Sequence, residues 1–347
     1  MNMATNPSAY AWPRAQRRAG LVLLGLVLFA LLCILGACLF GSVPLAPSEL
    51  VGGLRQLIGG ASASLPSTLL ELRLHRALAA FVTGGALALA GVMMQALLRN
   101  PLADPYVLGV SGGAAVGALA AMLLFTALWA VQLAAFAGAL AVALLLFVLA
   151  YYDLRGSAAD RNVSLLLLTG AIIASGCGAL VTLMLSIAPD SRLRGMVFWL
   201  IGDLSGATLS WLPSLALIGV LLFAWRAARS INVLALHADI AATLGVRAGP
   251  LRQGLFLCAA LLTASAVSTA GSIGFVGLIV PHACRFALGP DHRLLLPSAT
   301  LVGGSFLVLA DTLARCVLAP QQLPVGVITA VIGVPIFLMQ LHHARRK

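Results

Sequence analysis

Long apolar runs separated by short polar stretches recur along the whole chain. A helix needs roughly 20 mostly apolar residues to cross the hydrocarbon layer of a bilayer. Runs approaching that length lie near 20–41, 76–98, 106–126, 129–151, 163–187, 209–225, 253–271, 274–288, 297–318 and 325–341. The pattern predicts an all-α integral membrane protein with about ten transmembrane helices. The stretch 253–288 is the least regular. It reads either as two spans or as one long span and a re-entrant piece, because Gly271, Gly274 and Gly277 interrupt it. The first run follows Arg14, Arg17 and Arg18, as a signal sequence would, but it is longer than a signal core and ends without a clear small-residue cleavage pattern. It is therefore counted as the first span, leaving tails at 1–19 and 342–347 around one transmembrane domain, 20–341.

Composition strengthens this reading. The chain is 61% hydrophobic and 9% charged, where soluble domains carry about 25% charged residues. Its 35 glycines suit a bundle whose helices approach closely. The net charge of +11 comes from arginines scattered one to three at a time, so it marks membrane-protein loops rather than a nucleic-acid face. With an even number of spans and the N-terminus inside, 15 of the 21 Lys and Arg fall in cytoplasmic segments and 6 outside. Both termini are therefore expected in the cytoplasm. The cysteines Cys33, Cys38, Cys177, Cys258, Cys284 and Cys316 lie in or beside apolar runs and show no Cys-x-x-Cys spacing. They read as small buried hydrophobes, with no metal site indicated.

Several segments stand out from the apolar pattern. Asn100-Pro101-Leu102-Ala103-Asp104-Pro105 is a turn with two helix-breaking prolines, and Asp104 precedes Pro105 as a cap precedes a first helical proline. Gly109-Val110-Ser111-Gly112-Gly113 matches the Gly-x-Ser-x-Gly nucleophile pattern, with His282 as a conceivable base. That pattern needs a strand-to-helix turn, and here it sits in a helical membrane segment. Close packing through Gly113 and Gly117 explains the glycines without catalysis. For His282, a hydrogen bond between helices is the favoured reading. Asp311 and Arg315 lie four apart and can pair on one helix face, which an acid inside a membrane requires. Arg73 and Arg76 open the second predicted helix on the outer side, against the charge bias. Their plain structural reading is snorkelling anchors.

Three longer stretches resemble a known family, the permeases of type II ABC importers for iron–siderophore complexes, haem or vitamin B12. They are Gly84 to Ala114 (GGALALAGVMMQALLRNPLADPYVLGVSGGA), Gly271 to His292 (GSIGFVGLIVPHACRFALGPDH), and Leu323-Pro324-Val325-Gly326-Val327 through Gly333-Val334-Pro335. The resemblance implies ten helices per subunit, a homodimer in the bacterial inner membrane, two cytoplasmic ATPase subunits and a periplasmic substrate-binding protein. It implies no cofactor in this subunit, with ATP and Mg bound by the partner ATPase. It assigns Arg73, Arg76 and Arg315 to docking of the binding protein. Leu234 to Val246, with Leu234, Ala241, Leu244, Gly245 and Val246, falls to ATPase coupling, and Asn100, Pro101 and Asp104 to the inner turn and pathway. The chain departs from the family where His75 replaces a usual proline and Asp203 a common serine. With Arg192 and Arg194, these are candidate substrate or outer-gate contacts.

The expected function is import of an iron chelate, haem or a ferric siderophore, by alternating access, with vitamin B12 as the alternative cargo. An ion-coupled secondary transporter would carry more acids in its core than Asp311. An intramembrane serine protease would depend on Ser111. The only lysine is Lys347, so no Gly-x-x-x-x-Gly-Lys-Ser/Thr phosphate loop exists in this sequence. The purified chain, free of any ATPase subunit, should show no ATP turnover above a blank. Robust hydrolysis would overturn this division of labour.

Overall fold

A computed structural model describes residues 11–43, 46, 48–49, 52–53, 55–56, 64–125, 127–151, 154, 159–207, 209–236 and 243–345. Among them the chain forms eleven α-helices. These are α1 (Ala11–Leu39), α2 (Leu65–Leu97), α3 (Val110–Leu124), α4 (Leu128–Leu149), α5 (Ala159–Ile187), α6 (Asp190–Ile201), α7 (Trp211–Leu236), α8 (Ala248–Ala270), α9 (Val276–Leu288), α10 (His292–Cys316) and α11 (Val325–Arg345), with a 3-10 turn at Pro105–Leu108 before α3. Seven helices are long and apolar enough to cross a membrane. Each of the ten predicted runs falls on one helix. The twelve-residue α6 is the addition. The stretch 253–288 resolves into a full helix, α8, and a thirteen-residue half-helix, α9.

Helix α2 departs most from expectation. It begins at Leu65, eleven residues before the predicted start, because Ser64 and Ser67 form a reciprocal capping box with Pro66 in the first turn. Arg73 and Arg76 therefore lie inside the helix, two turns or more past its start. At 33 residues α2 is about 50 Å long. It exceeds a hydrocarbon layer of about 30 Å, so it tilts or protrudes.

The core forms around α2, which packs on α10, α8, α9, α1 and α7. Almost every α2 residue from Ala77 to Leu97 is buried. Lipid gives helices no hydrophobic reason to associate, so close backbone approach must supply the attraction. A Cβ on Gly84 would overlap the Gly303 carbonyl of α10, and one on Gly91 would overlap the Gly277 carbonyl of α9. The same device joins α3 to α4, where Gly113 meets Gly138 and Gly117 meets the carbonyl of Ala134. The predicted packing role of Gly113 and Gly117 is thus realised. Helices α1, α5 and α7 lie at the periphery, with little of their apolar windows buried. They expose Leu24, Leu28, Leu35, Leu168, Ile172, Leu183, Leu215, Ile218 and Leu222, as lipid-facing surfaces do.

Gly91→Val should lower stability by at least about 1–3 kcal/mol, the usual cost of overpacking, because the overlapped atoms are backbone and cannot rotate away. Gly25→Ala in α1, where an added Cβ meets nothing within 4 Å, should leave the thermal midpoint in detergent unchanged or slightly raised.

Candidate functional site

Two ends and a junction carry the polar chemistry. At one end, α2 and α10 set Arg76 and Arg315 against Asp311, and α2 sets Arg73 against the end of α1. Arg76 donates from Nε to both Asp311 oxygens, at 3.1 and 3.0 Å, and from Nη2 to Oδ1 at 2.7 Å. Its Nη1 donates to Gln322 Oε1 at 2.8 Å. Arg315 Nε lies 3.1 Å from Asp311 Oδ2, the predicted four-residue pair, although its N–H does not point at the oxygen. Asp311 is 1% exposed and Arg315 4%. A buried carboxylate needs such compensation. The partner sequence reasoning missed is Arg76, which lies 235 residues from Asp311 along the chain.

The remaining donors close the end of α1. Arg73 Nη1 donates to the carbonyls of Cys38 and Leu39 at 3.1 and 3.2 Å, and Nη2 to the carbonyl of Val43. Arg315 Nη2 reaches the carbonyl of Ala37 at 3.3 Å. The last carbonyls of a helix have no intrahelical partner, and cations there also favour the helix dipole. Arg73, Arg76 and Arg315 are therefore buried and engaged within the chain. His75, four residues after Glu71, places Nδ1 3.0 Å from the Glu71 carbonyl.

Partway along α2, broken elements meet. Gly277 packs on Gly91, six residues or about 9 Å before the end of α2. The joint between α8 and α9 therefore sits within the bundle, not at a surface. Gly271 and Phe275 take left-handed backbone there. The exposed backbone groups find partners across elements. Asp203 N–H donates to the Ala270 carbonyl at 2.8 Å, Gly326 N–H to the Gly202 carbonyl at 3.3 Å, and Ile273 N–H to the Tyr106 hydroxyl at 3.2 Å. Asp104 caps the 3-10 turn through Tyr106 N–H at 2.7 Å, and Asn100 Oδ1 accepts from Leu102 N–H at 2.9 Å. Pro101 lies in the exposed turn between them. Asp203 accepts from Ser205, through its N–H at 2.8 Å and its hydroxyl at 2.5 Å. Arg192 Nη1 donates to the Met122 and Leu123 carbonyls at 2.6 and 2.7 Å, closing the end of α3. Arg194 stacks 5.3 Å over the Phe198 ring. Ser111 lies in the first turn of α3, away from any strand-to-helix elbow. No hydrogen bond joins it to His282 among the described residues, and His282 Nδ1 is buried without a partner there. The expected interhelical bond through that nitrogen does not form.

The opposite end gathers the ends of α2, α7 and α9 and the start of α10. Arg99, with a left-handed φ of 46°, donates from Nε to the Leu234 carbonyl in the last turn of α7, at 3.2 Å. Leu244 is 63% exposed, Gly245 is left-handed and Val246 follows. Ala241 lies outside the described residues. Asn232 of α7 bonds both Asp291 and His292, a group the sequence reading did not single out. Its one legible sign is Asp291 as a helix cap after Gly289-Pro290. Burial works to raise the Asp291 pKa. The Asn232 bond, the Arg293 N–H and the charges of Arg293 and His292 outweigh it and hold the carboxyl below its ordinary value. This carboxylate contributes stability above its unfolded pKa and loses it as pH falls through the folded one.

Comparison with known proteins places this arrangement. The FecCD transport family matches residues 26–343. The vitamin B12 import system permease protein BtuC of Escherichia coli O9:H4 (strain HS) is 42% identical over 281 residues, covering 80% of this chain and 84% of that protein. The cobalamin import system permease protein BtuC of Halobacterium salinarum is 43% identical over 277 residues, covering 78% and 72%. A solved structure described as an inward-facing conformation of a metal-chelate type ABC transporter superposes with a TM-score of 0.80 at 29% identity, covering 93% of this chain and 99% of that one. With its helices, its broken-helix junction and these matches in agreement, the chain belongs to the FecCD transport family and is a multi-pass permease subunit of a type II ABC importer.

Proposed function

We propose that this permease carries vitamin B12 across a bacterial inner membrane, as a homodimer served by two ATPase subunits and a soluble binding protein. The observation that carries the cargo assignment is the 42–43% identity to permeases named for vitamin B12 or cobalamin import in a bacterium and an archaeon. It shifts preference away from haem and ferric siderophores, the cargo favoured on sequence alone. A metal chelate of another kind stays as the second reading, on the 29% identical structure. ATP and Mg would be bound by the ATPase, not by this chain. The exposed Leu244 and the left-handed Gly245 suit a segment that meets a partner closely, as ATPase coupling requires. Nucleotide states act only through different affinities for the two conformations of the permease.

Reconstituted complex with its binding protein should take up cobalamin in an ATP-dependent way and leave haem and a ferric hydroxamate outside. Uptake of haem or siderophore in place of cobalamin would overturn the cargo assignment.

Docking at Arg73, Arg76 and Arg315 is part of the same reading. Three arginines and one Asp311 at this end leave excess positive charge for acids of a binding protein, and arginine's fork suits carboxylates. Their burial separates two effects. Asp311→Ala strands two buried cations and should destabilise the subunit by about 3–5 kcal/mol. Arg73→Gln removes the charge but keeps an amide donor for the α1 carbonyls, so it should weaken binding-protein affinity while the thermal midpoint falls less than in Asp311→Ala. Unchanged affinity in Arg73→Gln would return Arg73 to a helix-closing role alone.

A further inference from the structure

The Asn232 end holds a polar group that none of the roles above uses, with His292 buried, Asn232 half-buried and Asp291 exposed. Asn232 lies one turn before the end of α7, after which the chain enters the segment leading to Leu244, Gly245 and Val246. Its Nδ2 donates to Asp291 Oδ1 at 2.7 Å. Its Oδ1 accepts from the His292 N–H at 2.9 Å and stands 2.6 Å from His292 Nδ1. Since Oδ1 can only accept, Nδ1 carries the hydrogen of the ring. Asp291 Oδ1 also accepts from Arg293 N–H at 3.0 Å, capping α10. His292 is 3% exposed, and its Nε2 is buried without a hydrogen-bond partner among the described residues. An unpartnered buried nitrogen costs free energy. The ring is thus held in place by the Asn232 contact and by packing.

A second tether acts on the same turn, for Arg99 at the end of α2 holds the Leu234 carbonyl. The last turn of α7 is therefore clasped to the starts or ends of both core helices. Helix α10 then runs unbroken from His292 to Cys316, about 37 Å. Pro297 removes one of its hydrogen bonds without ending it. At its far end are Asp311 and Arg315, tied to Arg76. Side-chain bonds to the end of α7 at one end and to α2 at the other make α10 a continuous connection between the two polar ends of the subunit.

We propose that the Asn232–Asp291–His292 clasp is the positioning element that passes movement of the 243–247 segment into α10, and so to the Asp311 end. The inference rests on the reading that an ATPase subunit meets this segment. A packing role alone would predict that breaking the clasp lowers stability without selectively severing the two ends.

The amide–carboxylate pair allows a reciprocal exchange. Asn232→Asp sets two carboxylates against each other at the 2.7 Å contact. Adding Asp291→Asn restores one amide and one carboxylate with roles reversed, keeps an acceptor for His292 and keeps a good helix cap, since Asn and Asp cap about equally. In the assembled complex with its ATPase, on a cysteine-free background, spin labels at the exposed Leu318→Cys of the two copies in the proposed homodimer report whether the Leu318 end responds to ATP. No cargo is required. Wild type should show an ATP-dependent distance change. Asn232→Asp should abolish most of it, and the double variant should restore it. If Asn232→Asp folds poorly, Asn232→Ala, which removes the amide without adding charge, should show the same loss. A wild-type response in a folded single variant overturns the proposal. So does a double variant with wild-type thermal midpoint and no recovery, or a wild type whose labels do not respond to ATP. Cobalamin uptake by the wild-type complex is read separately, so failure of the cargo assignment leaves this result intact.

Discussion

A bilayer core offers no water to a backbone group that has lost its helix partner, and each such group costs several kcal/mol if left alone. This chain breaks its helices in the middle of the bundle and so must answer that constraint from within. It does so in two ways. At the joint after α8, free N–H groups reach the carbonyls of Ala270 and Gly202 and the hydroxyl of Tyr106. At helix ends, arginines take the orphaned carbonyls. Arg73 and Arg315 close α1, Arg192 closes α3 and Arg99 closes α7. The irregular backbone a transport pathway needs is tolerated because these partners are supplied by neighbouring elements.

That use of arginine changes how the charge pattern is read. Arg73, Arg192 and Arg315 stand out in the sequence as positive charges on the side where few are expected. A helix end inside protein is a reason for an arginine that has nothing to do with membrane orientation or a docking partner. Docking and closing are compatible only where donors or field remain after the carbonyls are satisfied. Arg76 shows the limit, for three of its contacts go to Asp311 and a fourth to Gln322. An approaching acid must compete with those bonds or act through the excess charge of the cluster.

The parts legible in the sequence are those set by local pattern. Ten helices announce themselves by apolar length, the Asp104 cap by its position before Pro105, and the broken joint by Gly271, Gly274 and Gly277. Helix α6 escapes because twelve residues cannot span, and Asp190, Arg192 and Arg194 dilute its apolar signal. The first turns of α2 escape because Pro66, Glu71, Arg73 and Arg76 resemble a loop until the Ser64 cap is seen. Contacts between distant segments, Arg76 with Asp311 or Asn232 with Asp291, have no local signature. Each residue looks like an ordinary polar interruption until folding brings its partner beside it.

The way glycines are distributed decides what can move. Where a Cβ would overlap backbone, as between α2 and α10 or α2 and α9, the helices are in backbone contact, and separating them forfeits the whole interface. Sliding there is costly, so α2, α9 and α10 behave as one body. Helix α5 meets its neighbours mainly near the turn before α3 and along α3, through Gly109, Gly112 and Gly170. Most of its length faces outward, with Gly176 and Gly178 in open space. A conformational change that leaves the locked core intact must therefore move it as a unit, with α10 carrying α2 and α9 along, against elements such as α5 and α6. Of these, α6 is the constrained one. It is held at its start by Arg192 on the Met122 and Leu123 carbonyls of α3, and at its end where Gly326 backs onto Ile201 and Gly271 onto Trp199, so its movement is tied to both α3 and the core.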